Sequence, residues 1–247
     1  MSDAKKPNPT AAILIIGDEI LSGRTREGNA YYLAGELTKA GIDLKEVRIV
    51  SDDQDQIVGA IHALSKAYDT LFTSGGIGPT HDDITADAVG VAFGAKVDVR
   101  DDAKALLAAH YAQRGAEFTP ARMRMARIPE GATLIDNPVS VAPGFTMGNV
   151  HVMAGVPNVF QAMVASVLPT LTGGAPVLSR SLRVPRPESE IAEPLRDLAE
   201  TYSDLSFGSY PFVTDGNYGV NLVVRGQDET RLETAFAELQ SAFPEGQ

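Results

Sequence analysis

The sequence predicts an α/β protein: a three-layer α/β/α domain with a mostly parallel sheet, followed by a small α+β domain. Two observations predict the first domain. Continuous apolar runs alternate with amphipathic helical patterns, and glycine-rich or acidic loops follow the runs. A third observation, a βαββα pattern after a Thr-Gly-Gly-Ala-Pro stretch, predicts the second domain. We therefore expect domains at 11–172 and 177–247.

A strand, loop and helix pattern occurs three times in the first half of the chain. The apolar runs AAILIIG, KEVRIV and TLFTSG are predicted strands, and a predicted helix follows each of them. The first helix covers about 29–40, and Gly41 suits its end. Asp53 suits the start of the second helix, and Gly94 suits the end of the third, at 85–93. This alternation predicts parallel strands that helices cover on both faces.

The remaining elements follow from the same signals. In the first domain we expect a strand AKVDVR, a helix at about 102–114, a helix after Thr119-Pro120, a strand ATLID, a hairpin turning at Gly148-Asn149 and a last helix at about 156–171. In the second domain, SRSLRV, LSFGSYPF and YGVNLVVRG are predicted strands, and two helices complete the pattern. This order of elements predicts half of a ferredoxin-like layout for the second domain.

Composition and charge exclude several classes of protein. Against 32 Asp and Glu the chain has 21 Lys and Arg, and the net charge of −11 argues against a nucleic-acid partner. The sequence contains no Cys, which excludes disulfides, Cys-ligated zinc and thiol nucleophiles, and its four His lack zinc-hydrolase spacing. No apolar run approaches the ~20 residues of a membrane span. No signal-peptide pattern follows the polar start, so we expect a cytoplasmic protein, without a membrane partner, whose first ten residues are disordered.

The segment SGGIGPTHDDIT, between a predicted strand and a predicted helix, is the most informative one. Gly75, Gly76 and Gly78 allow positive φ angles, so consecutive N–H groups can bind a phosphate at the helix start. The lysine of a P-loop is absent. Asp82 and Asp83 would repel a phosphate unless a divalent cation lies between them or one of them caps the helix. A structural turn and a phosphate site both fit the glycines, and the acids favour the site.

Acidic residues also follow the first two predicted strands. Asp18 and Glu19 come after the first strand, and Asp52 and Asp53 come after the second. Loops at the carboxyl ends of parallel strands meet at one edge of the sheet, where ligands of open α/β sheets bind. The alternative is that Asp53 only caps its helix and Asp18 only makes a turn. Asp52 precedes the predicted cap and is the better candidate for metal or proton chemistry.

Two further segments are candidates for the site. The loop 137–145 has turn residues around the hydroxyl of Ser140 and could fold over a ligand. Arg122, Arg124 and Arg127, on the predicted helix after Thr119-Pro120, are a local excess of cations in an acidic chain. Ligand or partner binding and plain solvation explain the arginines equally well.

Taken together, GDEILSG, SDD, SGGIGPTHDDIT, NPVSVAPGF and AGVP resemble the molybdopterin-binding (MoaB/Mog) family of molybdenum cofactor biosynthesis. The resemblance covers about residues 12–172 and is strongest to the amino-terminal part of competence/damage-inducible CinA-type proteins. The GGxGPTxDDxT string in its strand-to-helix context is its most specific element. The second domain is similar to the middle domain of CinA-type proteins and of eukaryotic FAD synthases.

The resemblance implies a function and a site. It implies a three-layer domain that binds a pterin phosphate or nucleotide, and a divalent-metal-dependent pyrophosphatase acting on ADP-ribose-like or FAD-like nucleotides. The alternative is a molybdopterin adenylyltransferase or a non-catalytic molybdopterin-binding protein. Asp52 and Asp83 would be catalytic and, with Asp18, would hold the metal, Mg²⁺. The residues expected at the phosphate or nucleotide are Gly75, Gly76, Gly78, Thr80, Thr85, Ser140 and Gly144. A homo-oligomer, dimer or trimer, is also expected.

The chain departs from the family pattern at the turn Gly155-Val156-Pro157. Ala154 replaces the usual proline before this turn, and Val159 replaces a common glutamate after it. The sequence also lacks the pattern of the nicotinamide-mononucleotide deamidase domain of full CinA proteins, so we expect that activity to be absent.

Overall fold

The computed structural model describes residues 7–214 and 216–247. The chain divides into two compact units, Met1–Gly174 and Ala175–Gln247. Strands and helices of the first unit, in chain order, are β1 Thr10–Ile16, α1 Asp18–Leu21, α2 Asn29–Lys39, β2 Asp43–Val50, α3 Gln54–Ala67, β3 Thr70–Ser74, α4 Thr85–Phe93, β4 Val97–Val99, α5 Asp101–Gln113, α6 Pro120–Met123, β5 Arg127–Pro129, β6 Thr133–Ile135, β7 Gly144–Met147, β8 Val150–Met153 and α7 Pro157–Val167. Those of the second unit are β9 Leu178–Val184, α8 Glu188–Thr201, β10 Ser206–Thr214, β11 Asn217–Gly226 and α9 Glu229–Ala242.

The main sheet of the first unit has the strand order β2-β1-β3-β8-β7-β6. The pairs β2/β1, β1/β3 and β3/β8 are parallel, and the hairpin β7/β8 and the pair β6/β7 are antiparallel. Strands β4 and β5 form a separate two-stranded antiparallel sheet. The sheet is therefore mostly parallel, as its continuous apolar runs predict.

Both faces of this sheet are covered. Leu14 of β1 points to the face that buries Ile61 of α3. Its neighbour Ile13 points to the opposite face, where it joins Leu33 of α2 and Phe160 of α7. Successive strand residues alternate between faces, so a strand that is apolar at every position needs a helical layer on each side. The three-layer α/β/α fold is confirmed.

Local sequence signals place the ends of several elements. Asp53 caps α3 by accepting a hydrogen bond on Oδ1 from the N–H of Gln56, at 3.0 Å. Gly41 follows α2 with a φ of 68°, and Gly94 ends α4 with a φ of 64°. Gly148, with a φ of 59°, makes the predicted turn between β7 and β8. These four predictions are confirmed.

Two predictions about the first unit are wrong in part. Arg127 does not lie on a helix, because α6 is short, a 3₁₀ turn covers 124–126, and Arg127 begins β5, where it pairs with β4. Residues 8–10 are ordered rather than disordered: the Asn8 Nδ2 donates to Asp43 Oδ1 at 3.3 Å, and Thr10 begins β1. Residues 1–6 of that prediction lie outside the described residues.

The second unit is a three-stranded antiparallel sheet, ordered β10-β11-β9, with α8 and α9 on one face. Leu182 of β9 and Leu222 of β11 point to that face and pack against Ile191 of α8 and Leu232 and Leu239 of α9. This confirms the small α+β domain with the predicted βαββα order. In neither unit does the described part contain a helix long and apolar enough to cross a membrane.

The glycines before the second unit pack against the first one. The N–H of Gly174 donates to the Gly41 carbonyl at 2.9 Å. At Gly173, a Cβ would lie 2.0 Å from the Ala40 carbonyl oxygen, so only glycine fits this close approach. The first unit therefore extends through Gly174, and the second unit begins at Ala175, whose carbonyl accepts from Gln227 Nε2 at 3.4 Å.

Candidate functional site

Three loops leave the main sheet at the same edge. Strands β2, β1 and β3 are parallel neighbours, with Ile16 opposite Val50 and Ile15 opposite Ser74. The loops that follow them, 17–28, 51–53 and 75–84, must therefore start side by side. We call this edge, with its three loops, the rim.

Asp18 and Asp52 meet at the rim. The Asp52 Oδ2 accepts a hydrogen bond from the N–H of Asp18, at 2.9 Å. Partial burial raises the pKa of Asp52, and the negative charges of Asp18, Glu19 and Asp82 raise it further, against the lowering effect of the Asp18 N–H. Acids from all three loops therefore lie within electrostatic reach of one carboxylate.

Asp83 is bound within its own loop. Its Oδ1 accepts from the Gly78 N–H at 2.6 Å, and its Oδ2 accepts from the Thr80 N–H at 2.8 Å and the Thr80 hydroxyl at 2.5 Å. The carboxylate thus closes the turn 78–83. The acid whose charge acts on Asp52 is the neighbouring Asp82.

The glycines of this loop are required by close packing. Gly75 has a φ of 113°, and a Cβ there would lie 2.2 Å from the Ile16 carbonyl oxygen; Gly76 has a φ of 68°, and its Cβ would lie 2.1 Å from Thr85 Oγ1. Thr85 is buried and donates its hydroxyl to the Gly75 carbonyl at 3.0 Å. This contact gives Thr85 a packing role, away from solvent.

Hydrogen bonds within the protein occupy the N–H groups of two of the three predicted glycines. The Gly75 N–H donates to the Met153 carbonyl at 3.1 Å, and the Gly78 N–H donates to Asp83. Among the described residues, no acceptor is within hydrogen-bond distance of the N–H groups of Gly76 and Ile77. Both residues are partly exposed. Of the three predicted glycines, Gly76 is therefore the one whose backbone N–H has no partner in the described part of the chain, and the N–H of the adjacent Ile77 has none either.

All three arginines of the 122–127 segment are engaged within the protein. Arg122 donates to the Glu117 carbonyl and lies over the Tyr111 ring. Arg127 makes a bidentate ion pair with Asp87, at 2.6 and 2.8 Å.

Arg124 is the arginine that reaches the glycine loop. Its Nε donates to the Thr80 carbonyl at 3.1 Å, and its Nη2 donates to the Asp83 carbonyl at 3.4 Å. With Gly76, Gly78 and Asp83 it lines a cavity of about 10 Å³, enough for one water. Arg124 thus brings a positive charge to the loop and binds two carbonyl groups of its turn.

The loop 137–143 is organised by a buried asparagine. Asn137 Nδ2 donates to Ser140 Oγ at 2.7 Å and to the Ala142 carbonyl at 2.8 Å, and its Oδ1 accepts from the Val139 and Ser140 N–H groups. Val141 has a φ of 66°, which is strained for a β-branched residue. The hydroxyl of Ser140 accepts from Asn137 and keeps its own proton for a further partner.

Gly144, predicted at the ligand, is buried at the start of β7. A Cβ there would lie 2.4 Å from the Val152 carbonyl oxygen of the neighbouring strand. The structure thus gives this glycine a packing role in the sheet.

Asn29, the first residue of α2, lies next to the rim and was not predicted from the sequence. Its Nδ2 donates to Ser74 Oγ and to the Gly155 carbonyl, both at 2.8 Å, and the side chain is buried. It ties the end of β3 to the turn before α7. The signal was an amide on the same helix face as the apolar Leu33 and Leu37, where a buried polar group needs partners.

The two departures from the family pattern lie in or against the core between α2 and α7. Val159 is buried in the core formed by α2 and α7, and Ala154 packs against the same core. An apolar residue at 159 adds to that core, whereas a glutamate there would need a partner.

Within 7–214 and 216–247, no three His, Asp or Glu side chains converge to hold a metal ion by themselves. Mg²⁺, however, is held by one or two carboxylates when phosphate oxygens complete its shell. Asp18 and Asp52, in contact through the Asp18 N–H, are of that type. The donor set therefore fits a cation that arrives with a phosphorylated ligand, and it does not fit an all-protein metal cage.

Two family descriptions match the chain. The family described as "Probable molybdopterin binding domain" matches residues 12–173, and the family described as "FAD synthase, middle domain" matches 176–247. The first match covers well over half of the chain, and the two matches together follow its two units.

Relatives agree with this assignment. A CinA-like protein of Desulfosudis oleivorans is 36% identical over 209 residues, which are 80% of this chain but 51% of that protein. A protein of Pyrococcus abyssi is 30% identical and is matched over 96% of this chain and 99% of its own length. The crystal structure of CinA from Thermoplasma acidophilum, a protein of unknown function, superposes with a TM-score of 0.59 at 33% identity, over 65% of this chain and 98% of that one. The chain therefore belongs to the molybdopterin-binding domain family, in its CinA-like form.

Proposed function

We propose that this protein binds an ADP-ribose-like or FAD-like nucleotide at the rim and hydrolyses its diphosphate bond. The observation that carries the proposal is the environment of Asp52, a partly buried carboxylate with a raised pKa among the charges of Asp18, Glu19 and Asp82. Carboxylates with perturbed pKa values at the carboxyl edge of a parallel sheet are typical of functional sites.

The ligand's phosphate would be held by the loop that follows β3. The unpaired N–H groups of Gly76 and Ile77 point to a site for phosphate oxygens, and Arg124 supplies a nearby positive charge. The acids at the rim repel such a phosphate unless a divalent cation is shared between them, and Asp18 and Asp52 are the residues that would hold it. When bound, the ion neutralises charge on the phosphoryl oxygens and lowers the pKa of water.

Asp52 is suited to accept the proton in the hydrolysis. Water attacks one phosphorus, the bond from that phosphorus to the bridging oxygen breaks, and the leaving phosphate takes the electron pair. The proton of the attacking water goes to Asp52, whose carboxylate lies at the rim beside the Asp18 N–H.

The test is hydrolysis of ADP-ribose and of FAD, with and without Mg²⁺, by the wild type, Asp52→Asn and Asp55→Asn. Asp55 is an exposed acid on the first turn of α3 and is the matched control. We expect Mg²⁺-dependent release of AMP and ribose 5-phosphate from ADP-ribose, and of AMP and FMN from FAD. A general base contributes about 10²- to 10⁴-fold, so the Asp52 variant should lose at least about 10²-fold in kcat and the Asp55 variant should be unaffected. Equal rates for both variants would remove Asp52 from the reaction.

Binding without turnover is the second candidate. The observation that favours it is the engagement of Asp83, because three hydrogen bonds from its own loop occupy the second acid that the resemblance assigns to catalysis. Calorimetry with ADP-ribose in Mg²⁺, followed by chromatography of the mixture, separates the candidates. Saturable binding with the ligand recovered intact would favour the binding protein.

A further inference from the structure

Among the described strand residues, the second unit exposes a sheet face without acidic residues. Helices α8 and α9 cover the face to which Leu182 and Leu222 point. The alternate residues of β9, of 219–225 in β11 and of 206–212 in β10 point the other way, and none of them is Asp or Glu. In a chain with a net charge of −11, an acid-free face indicates a negatively charged ligand.

The free positive charges of this unit lie on that face. Its other arginines pair with carboxylates: Arg180 with Glu233, Arg186 with Glu245, Arg196 with Glu193 and Asp197, and Arg231 with Asp204. Arg183 and Arg225, both on the acid-free face, have no carboxylate partner among the described residues. The positive charge available to a ligand is thus concentrated on this side of the sheet.

Arg183 is stacked on an aromatic ring. Its guanidinium carbon lies 3.7 Å from the centroid of the Phe212 ring. Gly219 stands opposite Phe212 on the neighbouring strand, and a Cβ there would come within 2.8 Å of the ring. Glycine at 219 therefore lets the ring lie across β11 towards Arg183. A guanidinium stacked on a ring forms a flat cationic surface on which a second planar group can stack.

A cavity of about 540 Å³ opens beside this stack. Its lining includes Arg183, Phe212, Pro185, Tyr218 and Glu245, and the charge of Glu245 is neutralised by Arg186 at 2.6 Å. The volume lies within the ~300–1,000 Å³ range of small-molecule sites. A nucleotide combines a planar ring with a negative charge, which are the two properties that the stack and the acid-free face select.

We propose that this cavity is a second nucleotide-binding site, in which the base stacks on the Arg183–Phe212 surface and the phosphate is attracted to the Arg183 charge. The site lies wholly within the second unit and does not depend on the function proposed for the rim.

The absence of Trp from the sequence allows a direct test. The F212W variant of the full chain places a single tryptophan at the proposed site and keeps an aromatic surface there. We expect 5′-AMP to quench its fluorescence saturably. Adding Arg183→Met to F212W should raise the Kd at least about tenfold, or 1.4 kcal/mol. Adding Asp52→Asn should leave the Kd unchanged, which separates this site from the rim.

Two controls address the alternatives. The Y210W variant places the probe two residues away on the same strand face, outside the cavity, and should show no saturable quenching by 5′-AMP. Adenosine, which lacks the phosphate, should bind at least about tenfold more weakly than 5′-AMP. Equal affinity for adenosine would overturn the role of the charge.

Other outcomes overturn the proposal as a whole. Unquenched F212W fluorescence, together with no difference between wild type and F212L in calorimetry with 5′-AMP, would show that the cavity binds no nucleotide. If a single-stranded oligoadenylate binds more tightly with increasing length, and Arg225→Ala weakens it, the face binds nucleic acid and not a free nucleotide.

Discussion

At the residue scale, the environment of Asp52 has a consequence for stability. Its folded-state pKa is raised, so the folded protein holds this proton more tightly than the unfolded chain does. The protonated carboxyl therefore stabilises the folded protein at low pH, and this stabilisation is lost as pH rises through the folded-state pKa. At pH 7 the ionised carboxylate opposes folding.

We therefore expect Asp52→Asn to raise the free energy of unfolding of the first unit at pH 7, by up to about 0.5 kcal/mol. The amide oxygen can still accept from the Asp18 N–H, so no hydrogen bond need be lost. Urea denaturation at pH 7 and at pH 3 measures the effect, which should shrink at pH 3, where the aspartate is largely protonated. A less stable variant at pH 7 would contradict the prediction.

His151 on β8 gives a second residue-scale prediction. Burial lowers its pKa to about 4, from 6.5, and the neutral ring lies near Phe72 with its Nδ1 2.9 Å from Thr146 Oγ1. The unfolded chain therefore binds this proton more readily, so stability is full above pH 6.5 and is lost as pH falls towards 4. The difference between the two pKa values corresponds to a loss of up to about 3 kcal/mol in the free energy of unfolding.

The His151→Asn variant should be less stable than the wild type at pH 7.5, because the ring packing is lost. Its free energy of unfolding should nevertheless fall less between pH 6.5 and pH 4.5 than that of the wild type. Parallel pH profiles for the two proteins would show that His151 does not carry this dependence.

At the scale of elements, the turn from β3 to α4 depends on glycines for steric reasons. Gly76→Ala adds left-handed strain and a Cβ 2.1 Å from Thr85 Oγ1, so we expect it to cost roughly 2–5 kcal/mol. Gly23 has a similar φ of 72° but open space around its Cβ position, so Gly23→Ala should cost about 1 kcal/mol. Thermal unfolding of the two variants measures their losses of stability. Equal losses would mean that the packing around Gly76 relaxes to admit the Cβ.

Arg124 gives a prediction for the same turn. Arg124→Ala removes the donors to the Thr80 and Asp83 carbonyls, so the Gly78 and Thr80 amides should exchange hydrogen faster. Arg122→Ala, which changes a neighbouring arginine stacked on Tyr111, is the control and should leave their exchange unchanged. Arg124→Lys should restore protection only in part, because an ammonium cannot reproduce the planar fork. Faster exchange in both alanine variants would indicate a general loosening of the segment.

At the scale of the whole molecule, the two units have separate cores. Limited digestion with a protease of low specificity should therefore cut between 175 and 178 and leave two stable fragments. Cleavage at Gly173 or Gly174 should be slower, because these residues pack against Ala40 and Gly41. A single cooperative unfolding transition for the intact chain would contradict independent units.

Much of the fold follows from the sequence because its signals are local. The alternating burial of Ile13 and Leu14 is implied by an uninterrupted apolar run, since neighbouring strand residues point to opposite faces. Likewise, Asp53 and Gly94 end helices by contacts within a few residues. The short β5 was missed because pairing with β4 across about thirty residues, and not local propensity, ends the helix before Arg127.

For the site, the sequence by itself determined which loops meet: parallel strands must release their loops at one edge, so Asp18 and Asp52 were predicted together. Only the tertiary structure decided the partners of each polar group. In the structure, Asp83 accepts hydrogen bonds from Gly78 and Thr80 of its own loop. Arg124, more than forty positions further along the chain, donates to the Thr80 carbonyl of that loop. The physical reason is that a hydrogen bond depends on distances of a few tenths of an ångström, which are set by packing between elements far apart in the chain.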